Sequence, residues 1–271
     1  MRVRILLMTV ALLTGWAGAA PDLSLLRGSY VGDFVADHMD PSKSPSYQNK
    51  INLSVDSVQD GRIKGHSVVA GNLRPFSGTL TEKDGRFEVQ AKEPGDDQYD
   101  GVFRFTLDPA AKMASGIWIA NNKKLAVTQR KYALKRASYR YNPKLSLMDG
   151  VPRVNRSWEV PVYDTYNRHT DKWEAITKDA FKLNASTTLL RSQDVENMYR
   201  TDLEVTRNAI YARHGYSFQN RAMRYFFDRV DWYIPVSINV TAQLTDLERK
   251  NIEILKRYEN HAATYYDRFG R

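Results

Sequence analysis

There is no cysteine in the 271 residues of the chain. That absence excludes a disulfide framework, a cysteine-ligated zinc site and a thiol nucleophile. The five histidines, His38, His66, His169, His214 and His261, show no metal-ligand spacing, and no His-Glu-x-x-His occurs. Neither a glycine-rich phosphate loop nor a dinucleotide fingerprint is present. The nearest approach to a nucleophile elbow is Gly65-His66-Ser67-Val68-Val69. Valine stands there where a second glycine is required, and the context is a hairpin strand rather than a strand-to-helix turn. Beyond the N-terminus, no segment stays apolar for the ~20 residues that a membrane helix needs. The expectation is therefore no catalytic residue, no metal ligand set, no cofactor and no transmembrane span.

What is present begins with an export signal. Arg2 and Arg4 precede an apolar run over residues 5–13, broken only by Thr9, and Ala17-Gly18-Ala19 supplies small residues for cleavage. This is the layout of a secretory signal peptide over 1–19, cut after Ala19. The mature chain is then expected to be soluble and extracytoplasmic, periplasmic or secreted. Composition is that of an ordinary globular protein, 42% hydrophobic and 26% charged. The formal charge of +9 falls to +7 without Arg2 and Arg4, with 38 basic against 31 acidic residues. A basic exported protein is suited to anionic envelope material such as peptidoglycan, lipid headgroups or polysaccharide, or to an envelope protein. Basic clusters stand at Arg130-Lys131, at Lys135-Arg136, and at Arg221, Arg224 and Arg229. No nucleic-acid motif occurs, and nucleic acid is not an expected partner.

Residues 22–136 alternate with period two between turn signals, which predicts half-buried strands. Eight are expected, over 29–36, 50–58, 62–69, 73–82, 86–91, 102–107, 115–120 and 125–134. Asp60-Gly61, Gly71-Asn72 and Asp84-Gly85 read as tight turns. A meander of this kind closes most simply as an antiparallel barrel, with a sandwich as the alternative. Leu26-Arg27-Gly28-Ser29-Tyr30 is distantly similar to the first strand of lipocalin- and avidin-like barrels. The acidic loop 93–101 reads as a solvated turn, with a calcium site as the other reading. Residues 137–188 form a connector. Its hairpin is signalled by Trp158, Val160, Val162 and the run 173–176, and its polar end, 184–188, reads as a linker.

Over 189–262 the period changes to that of helices. Thr201…Glu204 and Thr245…Glu248 are capping-box patterns, and a short helix is expected over 221–230. The first helix should run to His214, with Gly215 as a left-handed cap. The fold class is thus α+β in two domains: an eight-strand barrel, a hairpin connector and a small helical domain.

Tyr211-Ala212-Arg213-His214-Gly215 is the centre of a wider pattern. It is preceded by Arg207-Asn208-Ala209-Ile210 and followed by Tyr216-Ser217-Phe218, Tyr225-Phe226 and Trp232-Tyr233-Ile234-Pro235. Leu244, Glu248, Asn251 and Ile252 close it. This stretch resembles the YARHG domain, a family named for its central motif. Ala209 departs from the family, which has an acidic residue there. The resemblance implies a bacterial extracellular module found beside varied domains, with no established activity.

Two readings of the motif stay open. Arg213 and His214 can bind an anion or shuttle a proton, and Tyr211, Tyr216, Trp232 and Tyr233 can form a stacking surface beside them. Alternatively, capping physics alone favours a helix ending in Arg-His-Gly, and the aromatics are a small domain's core. The residues favour a non-enzymatic binding module; the alternative is a hydrolase of peptidoglycan or surface polymers. If 1–19 is a signal, N-terminal sequencing of the exported protein reads Ala20 first. An intact Met1 on exported protein would overturn this.

Overall fold

A computed structural model describes residues 22–150, 163–167 and 172–265 of the chain. The signal-like segment 1–19, together with Trp158, Val160 and Val162, lies outside the described residues.

The first eight strands are β1 (Gly28–Met39), β2 (Gln48–Gln59), β3 (Arg62–Val69) and β4 (Asn72–Lys83), then β5 (Arg86–Lys92), β6 (Gly101–Asp108), β7 (Met113–Ala120) and β8 (Val127–Ala137). Each pairs antiparallel with its sequence neighbour, and β1 also pairs with β8, from Ser29 opposite Ala137 to Met39 opposite Val127. That ladder closes the barrel and removes the two edges a sandwich would keep. Asp60, Gly61, Asp84 and Gly85 all have positive φ, as type I′ turns require. The remaining tight turn falls one residue earlier than its sequence signal. Ala70 and Gly71 carry the positive φ values, and Asn72 already opens β4 while its side-chain amide donates to Ala70 O.

Period-two alternation decides what fills the lumen. Phe87, Val89 and Ala91 of β5 are buried, as are Tyr132 and Leu134 of β8. At one end a 3-10 turn, Leu23–Leu26, buries Leu26 in the barrel core, and Tyr30 OH donates to Leu26 O at 3.1 Å. The loops between β1–β2, β3–β4, β5–β6 and β7–β8 gather at the other end, because alternate loops of a meander share a side. There the inward rows change character. Arg74 lies two steps before buried Phe76, Glu93 two steps after Ala91, and Arg130 two steps before Tyr132.

Beyond the barrel come α1 (Leu147–Gly150) and a two-stranded hairpin, β9 (Tyr163–Asn167) and β10 (Lys172–Ile176). Then follow α2 (Asp179–Lys182), α3 (Ser192–Val195), α4 (Arg200–Arg213), α5 (Arg221–Phe227) and α6 (Asp246–Tyr265). α4 starts earlier than the Thr201 capping pattern predicts: Tyr199 is the N-cap and makes no side-chain cap bond. The reason is tertiary. Asp202, in the first turn, accepts from Thr177 N and Oγ1 at 2.8 and 2.6 Å, so the helix start is tied to the chain after β10. The second pattern forms a full capping box: Glu248 N donates to Thr245 Oγ1, and Thr245 N donates to Glu248 Oε2. The polar run 184–188 is held in the helical core, since Asn251 Nδ2 donates to Ala185 O and Thr188 O. Asn251 Oδ1 accepts from Leu190 N at 2.9 Å.

The helical domain sits on the mouth end of the barrel. Asn52 Nδ2 donates to Pro235 O, Gly71 N to Ser217 Oγ, and Arg221 to Ser44 O and Pro45 O. A Cβ on Gly71 would lie 2.1 Å from Gln219 Cγ, so this glycine sets how closely the two units approach. Lys50 N donates to Asp228 Oδ2 at 2.9 Å, and Lys50 Nζ to Val230 O. Burial pushes the Asp228 carboxyl up to about 7, against the opposing pull of Lys50 and Arg224; Asp33 adds to the rise. A raised carboxyl stabilises the fold fully below the unfolded-state value near ~4, and that contribution is lost as pH climbs to about 7. Asp228→Asn should therefore flatten the fall in thermal midpoint between these limits. An unchanged slope would show that Asp228 titrates as it does in the unfolded chain.

Candidate functional site

The motif predicted from sequence is assembled, and it is largely inside the protein. α4 ends at Arg213, His214 is the C-cap, and Gly215 takes φ +73°. A side chain there would meet Val236 Cγ2 at 2.4 Å. Arg213 is 2% exposed and His214 is 5% exposed. Arg213 Nε donates to Leu145 O at 2.8 Å, Nη1 donates to Ser186 Oγ, and the guanidinium lies 5.9 Å from the Trp232 ring. Burial lowers Arg213 to about 10, although Glu248 and Tyr141 pull it back up.

His214 faces Glu248, whose exposure is 0%. Glu248 Oε2 receives His214 Nε2 at 2.8 Å as well as Thr245 N, while Oε1 accepts from Tyr141 OH at 3.1 Å. Burial alone would raise this carboxyl. The hydrogen bonds from His214, Thr245 and Ser186 outweigh it and hold Glu248 down at about 2. It is therefore ionised, and His214 Nε2 is the donor. Tyr141 completes the packing by stacking on the His214 ring with centroids 4.2 Å apart, and burial followed by the Glu248 charge pushes its phenol up to about 12.

The other expected residues join the same core. Trp232 Nε1 donates to Ser146 O at 2.8 Å. Tyr233 is buried against Phe218 and Phe227, and its hydroxyl donates to Tyr216 O. Tyr211 and Tyr216 are half-buried with rings 6.0 Å apart. Sequence reading missed Tyr139, Tyr141 and Ser186 as partners. Tyr139 OH donates to Arg213 O. Nothing local in the sequence links residues 139–141 to a helix end more than seventy positions later.

A second site is an open cavity of about 410 Å³ at the barrel mouth. Phe34, Phe103 and Trp118 give it apolar walls, Arg74, Glu93 and Arg130 supply charge from the barrel, and Arg224 reaches it from α5. Glu93 Oε2 accepts from Gly101 N at 2.7 Å and Trp118 Nε1 at 3.0 Å, and burial raises its carboxyl. Asp100 accepts from Gly95 N and Asp97 N and pairs with Arg74 at 3.2 Å. The acidic loop is thus closed on its own amides and on Arg74. Among the described residues no three His, Asp or Glu side chains are grouped to hold a metal. His66 pairs with Asp56 and Ser67 points to Glu93, so they do not form a nucleophile pair.

Residues 178–260 match the sequence model of the YARHG domain. The helical domain is a YARHG domain. No curated protein and no solved structure matches the chain. The match runs from α2 into α6. No described helix is long and apolar enough to cross a membrane. Glu248→Ala should cost about 3–5 kcal/mol in urea unfolding, because it strands buried donors on His214, Thr245 and Tyr141. Its depressed carboxyl contributes stability above the unfolded-state value near ~4.3, lost as pH falls to about 2, so this acid limb should shrink in the variant. A loss under about 1 kcal/mol would contradict the assignment.

Proposed function

We propose that the protein is an exported, non-enzymatic binding module of the cell envelope, with its ligand site at the barrel mouth. The YARHG domain contributes Arg224 to that site. The observation that carries this reading is the cavity itself, lined from both units above a filled lumen. Its volume falls in the ~300–1,000 Å³ range of small-ligand sites. Export is supported by the charged, apolar and small-residue order of the first nineteen positions. The YARHG family, an extracytoplasmic module, points the same way.

Binding rather than turnover is supported by how the titratable groups are engaged. Glu93 holds Gly101 and Trp118, Glu248 holds His214, and Asp202 holds Thr177. Each is committed to architecture. On this reading Arg213, His214, Trp232 and Tyr233 shape the domain from within, while Tyr211 and Tyr216 brace its aromatic core. The +7 of the mature chain suits an anionic envelope ligand.

Native mass spectrometry of protein purified from the envelope of an exporting host tests this. The expected result is a small-molecule adduct that is released on denaturation and absent from Ala126→Trp, which fills the mouth. Turnover of peptidoglycan or of envelope polysaccharide without any adduct would overturn it.

A further inference from the structure

The mouth holds two guanidinium groups that, among the described residues, make no ion pair. Arg130 is 8% exposed. Its Nη1 donates to Phe34 O at 2.9 Å and its Nη2 to Ser46 O at 2.9 Å, which anchors the β1–β2 loop. These carbonyls satisfy donors but carry no net charge. Arg224 Nη1 donates to Gln219 O, and its buried Nε has no hydrogen-bond partner. Among the described residues neither arginine has a carboxylate within ion-pair distance, whereas Arg74 in the same cavity has Asp97 and Asp100. Burial, then the field of Arg224, lowers Arg130 to about 10, so the two cations sense each other.

Burying an unpaired cation is costly, and burying two side by side is more so. The nearby carboxylates make no direct contact with either guanidinium. Glu93 directs its oxygens to Gly101 N, Trp118 Nε1 and Ser67 Oγ, and Asp228, held by Lys50 N, acts on Arg224 only from beyond ion-pair distance. The walls beneath are aromatic: the Arg130 guanidinium lies 5.3 Å from the Phe34 ring, which meets Trp118 edge-on at 5.9 Å. Deeper still, Tyr132 packs on Phe34 and Phe103, and its buried hydroxyl is also without a partner.

We infer that the mouth binds an amphiphilic organic anion, with one carboxylate or phosphate head between Arg130 and Arg224 and an apolar body on Phe34, Phe103 and Trp118. This rests on the proposed binding function and names its ligand class. A fork-shaped guanidinium is suited to either head, and a second cation from α5 makes recognition depend on the docked YARHG domain. An apolar tail replaces water against the rings, and a single head accounts for the two unpaired charges.

Isothermal titration of the mature chain at physiological salt tests the class with four probes that share one tail: decanoate, decyl phosphate, decanol and decyltrimethylammonium. Saturable one-to-one binding is expected for one or both anions, with the alcohol and the cation at least about tenfold weaker. Arg224→Gln should weaken anion binding by about tenfold, Arg224→Lys less, and Arg62→Gln, at the far end of the barrel, not at all. Decanol binding as tightly as decanoate would overturn the inference without any variant. So would a folded Arg224→Gln that binds decanoate unchanged. Failure of all four probes, with an Ala126-sensitive adduct still present, would sink the ligand class and leave the mouth site standing.

Discussion

Glu248 is a carboxylate with no exposure to solvent, and donors from four parts of the chain converge on it: Tyr141 OH, the Ser186 side chain, His214 Nε2, and Thr245 N and Oγ1. A buried ionised carboxylate is tolerated only when its lone pairs are met by well-placed donors. That requirement joins the start of α6, the end of α4 and the chain leaving the barrel at a single point. Once α4 ends there, Gly215 must turn sharply, and Val236 N and Ser237 N close on Gly215 O. The chain between then carries α5 back across the barrel. Arg224, on α5, lies on this segment between the two ends that Glu248 joins.

The same constraint gives the YARHG motif a physical meaning. Arg213 bonds Leu145 O and Ser186 Oγ, His214 bonds Glu248, and Tyr233 bonds Tyr216 O. Each polar group in the motif replaces a disulfide-like tie between segments remote in sequence, in a chain that has no cysteine. The aromatic density has the same role. Phe218 stacks on Phe227 at 4.8 Å, and Phe226 meets Phe227 edge-on at 4.9 Å. Such pairs add about 0.5–1.5 kcal/mol beyond area burial.

The barrel divides its lumen between stability and binding. Its closed end is packed by Leu26, Tyr30 and the rings between, whereas its open end carries charge where the inward pattern would otherwise place apolar residues. Retaining Arg130 and Glu93 at inward positions weakens the core there. Proteins accept that kind of local cost where a ligand will meet it.

Much of this was legible in the sequence because it is local. Period-two alternation marked all eight strands, turn chemistry marked Asp60-Gly61 and Asp84-Gly85, and Thr245…Glu248 marked the start of α6. The YARHG residues were also legible, as a pattern of separated signals that the match over 178–260 bears out. The alternation also places Arg130 and Glu93 in the inward phase, Arg130 within β8 and Glu93 one residue past β5. What the sequence could not say was where charges meet. Arg130 and Arg224 lie in two separate basic clusters, and Tyr141 lies in a polar stretch with no helical signal. α4 begins at Arg200, ahead of Thr201, and Asp202 in its first turn is held by Thr177, a contact that no local rule contains. The chain by itself determined its elements, because propensity, period and turns act over a few residues. Only the tertiary structure decided the mouth, because electrostatic neighbours and desolvation depend on which surfaces pack together.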